Sequence, residues 1–145
     1  MFQTEKDLVI ALLSTLEEKK IRIEKVKDFL ILQEVDGMIG RPDVLLKTKR
    51  GKKIITIEVK LKNWKRALRQ AYRYRCFSDM SYICMDSKNI KPALDNIELF
   101  MKSNIGLISI DRQGNVIIHY EPILKEAYNK RLRDIASNKF VEQYE

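Results

Sequence analysis

GRPDVLLKTKRGKKIITIEVK, residues 40–60, reads as two β-strands joined by a basic turn. Arg41 to Lys47 is an apolar, buried strand; Lys49 to Lys52 turn around Gly51; Lys53 to Lys60 is the return strand. Side chains on a strand alternate between faces, so Ile55, Ile57 and Val59 point one way and Thr56, Glu58 and Lys60 the other. The apolar set belongs to the core. Asp43 and Glu58 then fall on adjacent strands, with Lys60 on the same face as Glu58.

Two carboxylates and a lysine so placed form a candidate metal site acting on a phosphodiester. A hard divalent cation is commonly held by one or two protein carboxylates, which leaves positions for water and substrate phosphate. The cation polarises the phosphate and acidifies a bound water, and a nearby lysine can orient that water or offset developing charge. A Glu-x-Lys pair alone is common in a chain that is 33% charged, and an exposed strand face would show it too, so the surrounding pattern has to decide.

That pattern is basic. The formal net charge is +8, and from Lys47 to Arg75 there are twelve Lys or Arg against one acidic residue, Glu58. A polyanionic partner is the natural inference, with a solvated charged face as the plain alternative. The periodicity over Lys62 to Cys76 predicts a helix with Trp64, Ala67, Leu68 and Ala71 on its buried face and Lys62, Lys65, Arg66, Arg69 and Arg73 outside. Asn63, Gln70 and Tyr74 run along one border, which faces the carboxylates if this helix packs on the sheet. Trp64, in mid-stripe, reads as a core anchor.

Elsewhere, Thr4 caps a first helix whose buried stripe is Leu8, Val9, Leu12, Leu13 and Leu16, a stripe that Glu5 shares. A strand is expected near residues 28–35, ending at a turn marked by Asp36, Gly37 and Gly40, so that three antiparallel strands follow in sequence. Met80 to Met85 is a short apolar strand. Pro92 opens a helix with Ile90, Leu94, Ile97 and Met101 on one side. Ile105 to Ile110 and Val116 to Tyr120 flank the turn residues 111–115 as a hairpin. A last helix is expected after Pro122, with Leu124, Ala127, Tyr128, Leu132 and Ile135 inward and a frayed tail beyond Asn138.

The fold class that follows is α/β, a mixed central sheet flanked by helices, in one domain over residues 1–145. Cys76 and Cys84 lack the partners of a zinc or iron–sulfur pattern and read as reduced thiols. The lone histidine, His119, reads as structural. The apolar run Leu8 to Leu13 is too short for a signal peptide or membrane span, so the expectation is a cytoplasmic protein with no membrane partner.

Pro42-Asp43 with Glu58-Val59-Lys60 resembles the signature of the PD-(D/E)XK nuclease superfamily, the restriction endonuclease-like fold, whose core is α-β-β-β-α-β. Residues 70–74, QAYRY, further resemble the Q-x-x-x-Y motif of RecB-like branches. Together the matches cover about residues 1–85. The resemblance implies that Asp43 and Glu58 coordinate magnesium or manganese, that Lys60 assists the attacking water, and that a first-helix glutamate joins them. Glu5 can supply it, although Glu17 and Glu18 lie on the same helix. It implies that Gln70 and Tyr74 contact substrate; the basic pattern places Arg41, Lys62, Arg66, Arg69 and Arg73 on the backbone of the nucleic acid, with Tyr74 beside them. The implied activity is a metal-dependent deoxyribonuclease, an endonuclease acting on DNA with branched or single-stranded forms included, and a homodimer suits a fold that often cuts two strands with two sites. The alternatives are a DNA-binding module of the same fold that has lost turnover, and a protein whose basic band meets an acidic partner.

Overall fold

In the computed structural model, which describes residues 1–144, the three antiparallel strands are β1 (Phe29–Gln33), β2 (Val44–Thr48) and β3 (Ile54–Lys60). They continue into β4 (Met80–Asp86), β5 (Gly106–Ile110) and β6 (Val116–Tyr120), giving a six-stranded mixed sheet in sequential order. β3, β4 and β5 run parallel and β6 returns antiparallel. Parallel neighbours need crossovers. These are α2 (Trp64–Tyr74) between β3 and β4, and the short α3 (Lys91–Leu94) and α4 (Ile97–Ser103) between β4 and β5. α1 (Glu5–Glu17) precedes the sheet and α5 (Lys130–Tyr144) follows it. The chain is therefore the mixed α/β fold that the alternating patterns call for.

Strand alternation assigns each face its helices. Ile55, Ile57 and Val59, with Val44 and Leu46, pack on Leu8, Leu12 and Leu16 of α1. Each fully buried leucine is worth about 2 kcal/mol relative to exposure. The opposite face carries Trp64, Ala67 and Ala71 of α2 against Ile83, Met85, Phe100 and Leu107. Beneath α2 a polar seam crosses the sheet: Thr56 Oγ1 donates to Ser81 Oγ at 2.8 Å, and Ser81 Oγ donates to the Ala71 carbonyl at 2.8 Å. The small side chains of Ala67 and Ala71 permit that close approach, so α2 sits in one register over the strand that bears Glu58.

Four expectations need correction. The strand expected from Arg41 begins at Val44, because Gly40 turns the chain at φ +69° and Pro42 has no N–H to give a ladder. α2 begins at Trp64 rather than Lys62, since Asn63 is its N-cap and its side chain accepts from the Arg66 N–H. The single helix expected after Pro92 is two, α3 and α4, broken at Asp95 and Asn96; Phe100 is buried while Met101 is exposed.

The last helix starts at Lys130, capped by Asn129, whose side chain accepts from the Leu132 N–H, and it continues through the tail that was expected to fray. Residues 121–129 form neither helix nor strand and run as a strap. The Lys125, Tyr128 and Asn129 N–H groups donate to the carbonyls of Asp79, Arg75 and Cys76, so this backbone is satisfied outside a helix. Buried Arg75 donates to the carbonyls of Ser78, Lys125 and Glu126. Asp79, also buried, accepts from the Ile54 and Ala127 N–H groups and pairs with Arg133 at 3.0 Å. In α5, Phe140 is buried against Leu45, Ile54, Tyr74 and Phe77. Among the described residues no helix is long and apolar enough to cross a membrane.

Phe140→Ala removes a core side chain from the segment expected to fray. It should cost about 3–5 kcal/mol in urea unfolding; a loss below about 1 kcal/mol would mean that the C-terminal turns pack only loosely.

Candidate active site

The β2–β3 ladder pairs Val44 with Ile57, so one further step places Asp43 opposite Glu58. Both carboxylates lie on the α2 side of the sheet, the side that Leu45 and Ile54 share with Tyr74. Asp43 Oδ2 accepts from the Val59 N–H at 2.8 Å, which ties the chain ahead of β2 to the end of β3. Glu58 is only 4% exposed, and its Oε1 accepts from the Tyr74 hydroxyl at 3.2 Å. Tyr74 is held in turn by the chain ahead of Asp43: a Cβ on Gly40 would stand 2.9 Å from its ring, so only glycine suits this left-handed turn.

Electrostatics set the pair apart. Burial, reinforced by the facing Asp43 carboxylate, pushes the Glu58 pKa up to about 7. Asp43 is raised too, chiefly by burial, against the Val59 N–H and the Lys60 charge, which favour its ionised form. Burial and the Glu58 charge raise Tyr74, so its hydroxyl stays a donor. Lys60 Nζ is 3.9 Å from Glu5 Oε1, and Glu5 Oε2 accepts from the Leu61 N–H at 3.3 Å. One lysine is therefore shared loosely among three acids.

The structure brings together Asp43, Glu58, Lys60 and Tyr74, with Glu5 at the rim. Glu5, Glu34 and Asp43 line one depression beside α1, a role for Glu34 that its loop position gave no sequence signal for. Among the described residues no three His, Cys, Asp or Glu side chains are grouped as a metal cage. Gln70 Oε1 is enclosed without a hydrogen-bond partner, leaving an acceptor uncommitted on the α2 edge that also carries Tyr74. Tyr74 itself is buried, its hydroxyl spent on Glu58, so it positions the carboxylate instead of offering surface to a polyanion. Arg41 is exposed but donates to the Glu34 carbonyl at 2.9 Å.

Lys62, Lys65, Arg66, Arg69 and Arg73 are exposed along α2 and the turn before it. Among the described residues none of Arg66, Arg69 and Arg73 pairs with an acid. His119 accounts for itself in a 2.7 Å hydrogen bond with Ser109, and Trp64 is a buried anchor against Phe100. Both cysteines are free, Cys84 buried and Cys76 partly so.

No family model and no curated protein matches the sequence. Among solved structures, the SPO1766 protein of unknown function from Silicibacter pomeroyi is similar with a TM-score of 0.61 at 20% identity, over 88% of this chain and 82% of its own. SfsA from Pyrococcus furiosus, solved in complex with Ca2+, gives a TM-score of 0.49 at 12% identity, over 81% of this chain and 64% of its own. At such identity the first likeness shows a shared fold and nothing further.

The raised Glu58 pKa has a sign that can be tested. The ordinary value is 4.5, so between there and about pH 7 the folded chain holds the proton that the unfolded chain has released. Stability is lost as pH rises through that window, by about 3 kcal/mol in total. In chelator, Glu58→Gln should therefore match wild type near pH 4.5 and exceed it by about 2–3 kcal/mol near pH 8 in urea unfolding. A difference independent of pH would contradict the geometry described.

Proposed function

We propose that the protein is a divalent-metal-dependent nuclease that hydrolyses DNA phosphodiester bonds. The observation that carries this reading is the Asp43–Glu58 pair: two facing carboxylates, one of them almost fully buried, whose ionised forms burial disfavours more than Lys60 favours them. Such a pair is stable in its ionised form with a cation beside it. Oxygen donors of this kind suit magnesium or manganese, for which two protein carboxylates suffice. Asp43 and Glu58 would hold the ion, with Glu5 at its margin. Once bound, it supplies Lewis-acid polarisation of the phosphate and acidification of water.

The chain's own groups supply the rest. The Tyr74 hydroxyl holds Glu58 and the Val59 N–H holds Asp43, so each acid is fixed before any ligand arrives. Lys60 would orient the attacking water and offset charge on the transition state. The uncommitted Gln70 oxygen can accept a hydrogen bond from that water. Lys62, Arg66, Arg69 and Arg73 provide phosphate contacts, which set position along the backbone without reading sequence.

A second reading, a DNA-binding module of the same fold without turnover, is favoured by one feature: among the described residues the acids do not form a group of three. Incubation of plasmid and branched DNA with magnesium or manganese separates the two. The expected result is metal-dependent nicking, lost on chelation and reduced about 100-fold or more by Asp43→Ala or Lys60→Ala. A salt-sensitive gel shift with no cleavage under either metal would establish the binding module instead. No association with DNA at low salt would leave the basic band to an acidic protein partner.

A further inference from the structure

The edge of α2 away from Gln70 and Tyr74 carries a feature that hydrolysis does not use. Tyr72 is 47% exposed and Tyr128 61% exposed, and their ring centroids lie 6.3 Å apart at 59°. Leu68, Arg69, Tyr72, Arg73 and Ser103 line the shallow hollow beside them. Tyr128 does not hang free. Its N–H donates to the Arg75 carbonyl at 3.1 Å, and its ring lies over the Arg75 guanidinium at 4.9 Å. Arg75 is wholly buried and pairs with backbone carbonyls rather than a carboxylate, so the fold spends an internal cation on presenting a surface ring.

We infer that the Tyr72–Tyr128 pair, with Arg69 and Arg73, is a stacking platform for the bases of single-stranded nucleic acid. This deepens the reading of the protein as acting on nucleic acid and rests on it. Two observations select this occupant. α2 contains no acidic residue, and among the described residues Arg69 and Arg73 have no acidic partner, so the surface around the rings attracts an anion rather than an apolar protein face. Half-exposed aromatic rings beside arginines suit bases whose faces are free, and in a duplex those faces are already stacked. Arg69 and Arg73 lie on the outer face of α2, between the edge that carries Gln70 and the edge that carries Tyr72. A strand entering the carboxylate site can thus cross the helix with phosphates on the arginines and bases on the tyrosines.

The test is fluorescence anisotropy of labelled oligothymidine, and of a duplex of equal length, in chelator so that nothing is cut. Tyr72→Ala and Tyr128→Ala should each weaken the single strand about tenfold. Tyr72→Phe should restore it, and the duplex should lose no more than about twofold. Tyr→Ala should leave the salt slope unchanged, whereas Arg69→Ala should reduce it by about one. Unaltered single-strand affinity in both alanine variants, or a phenylalanine as poor as alanine, overturns the platform. If the wild type binds duplex but not single strand, the platform alone fails; if it binds neither at low salt, the nuclease reading falls with it. Both side chains are exposed, and thermal unfolding verifies that the variants fold.

Discussion

Two like charges held against each other where water is scarce must be stabilised by something, and much of this fold is arranged around that requirement. The facing positions of Asp43 and Glu58 follow from the β2–β3 register, so while the ladder holds the repulsion is relieved by a proton or a cation and not by separation. The Val59 N–H and the Tyr74 hydroxyl each supply one hydrogen bond to an ionised oxygen, worth more than a neutral bond but less than a counter-charge. What remains uncompensated shows as the raised pKa of Glu58. A site built only for stability would have placed an apolar pair here, since burying one lone carboxylate is costly and burying two is worse.

The same reasoning applies to α2. Lys65 and Arg66 sit in its first turn, where the helix dipole disfavours cations, and no acid on the helix offsets them. The local cost is small, a few tenths of a kcal/mol for each exposed charge. Burial of Trp64, Ala67 and Ala71 outweighs it, aided by the Asn63 cap and the Ser81 bond to the Ala71 carbonyl. Helix stability therefore comes from the inner face, which frees the outer one for charges that local propensity would not choose. Local rules are broken in this way where a surface serves a partner.

The sheet and the carboxylate pair were legible in the sequence because period-two alternation in IITIEVK and the basic turn before it permit one register alone. Trp64 as anchor, His119 as a structural residue and the α2 border with Gln70 and Tyr74 were readable for the same reason, that spacing decides which side of an element a residue occupies. The segment from Pro122 to Asn129 was misread because helical spacing in Leu124, Ala127 and Tyr128 is a necessary condition for a helix, not a sufficient one. Arg75 and Asp79, far away in sequence, satisfy that backbone outside a helix and so override the pattern. The break between α3 and α4 likewise has no strong local marker. Glu34 joined the acidic depression through a loop whose path no periodicity encodes.

That misread segment matters to the site. Tyr74 belongs to the same buried cluster as Phe77, Ala136 and Phe140, its ring 5.8 Å from that of Phe77, so α5 packs behind the residue that holds Glu58. Gly40 closes on the ring from the other direction, and Gly40 leads directly into Asp43. The hydroxyl is thus fixed from the N-terminal side by the chain that carries one acid and from behind by the C-terminal helix. Asp79 and Arg133 tie that helix to the Ile54 end of β3, while Glu58 stands near the other end of the strand. α5 thus backs the tyrosine that holds Glu58, although it contributes no group to the acids themselves.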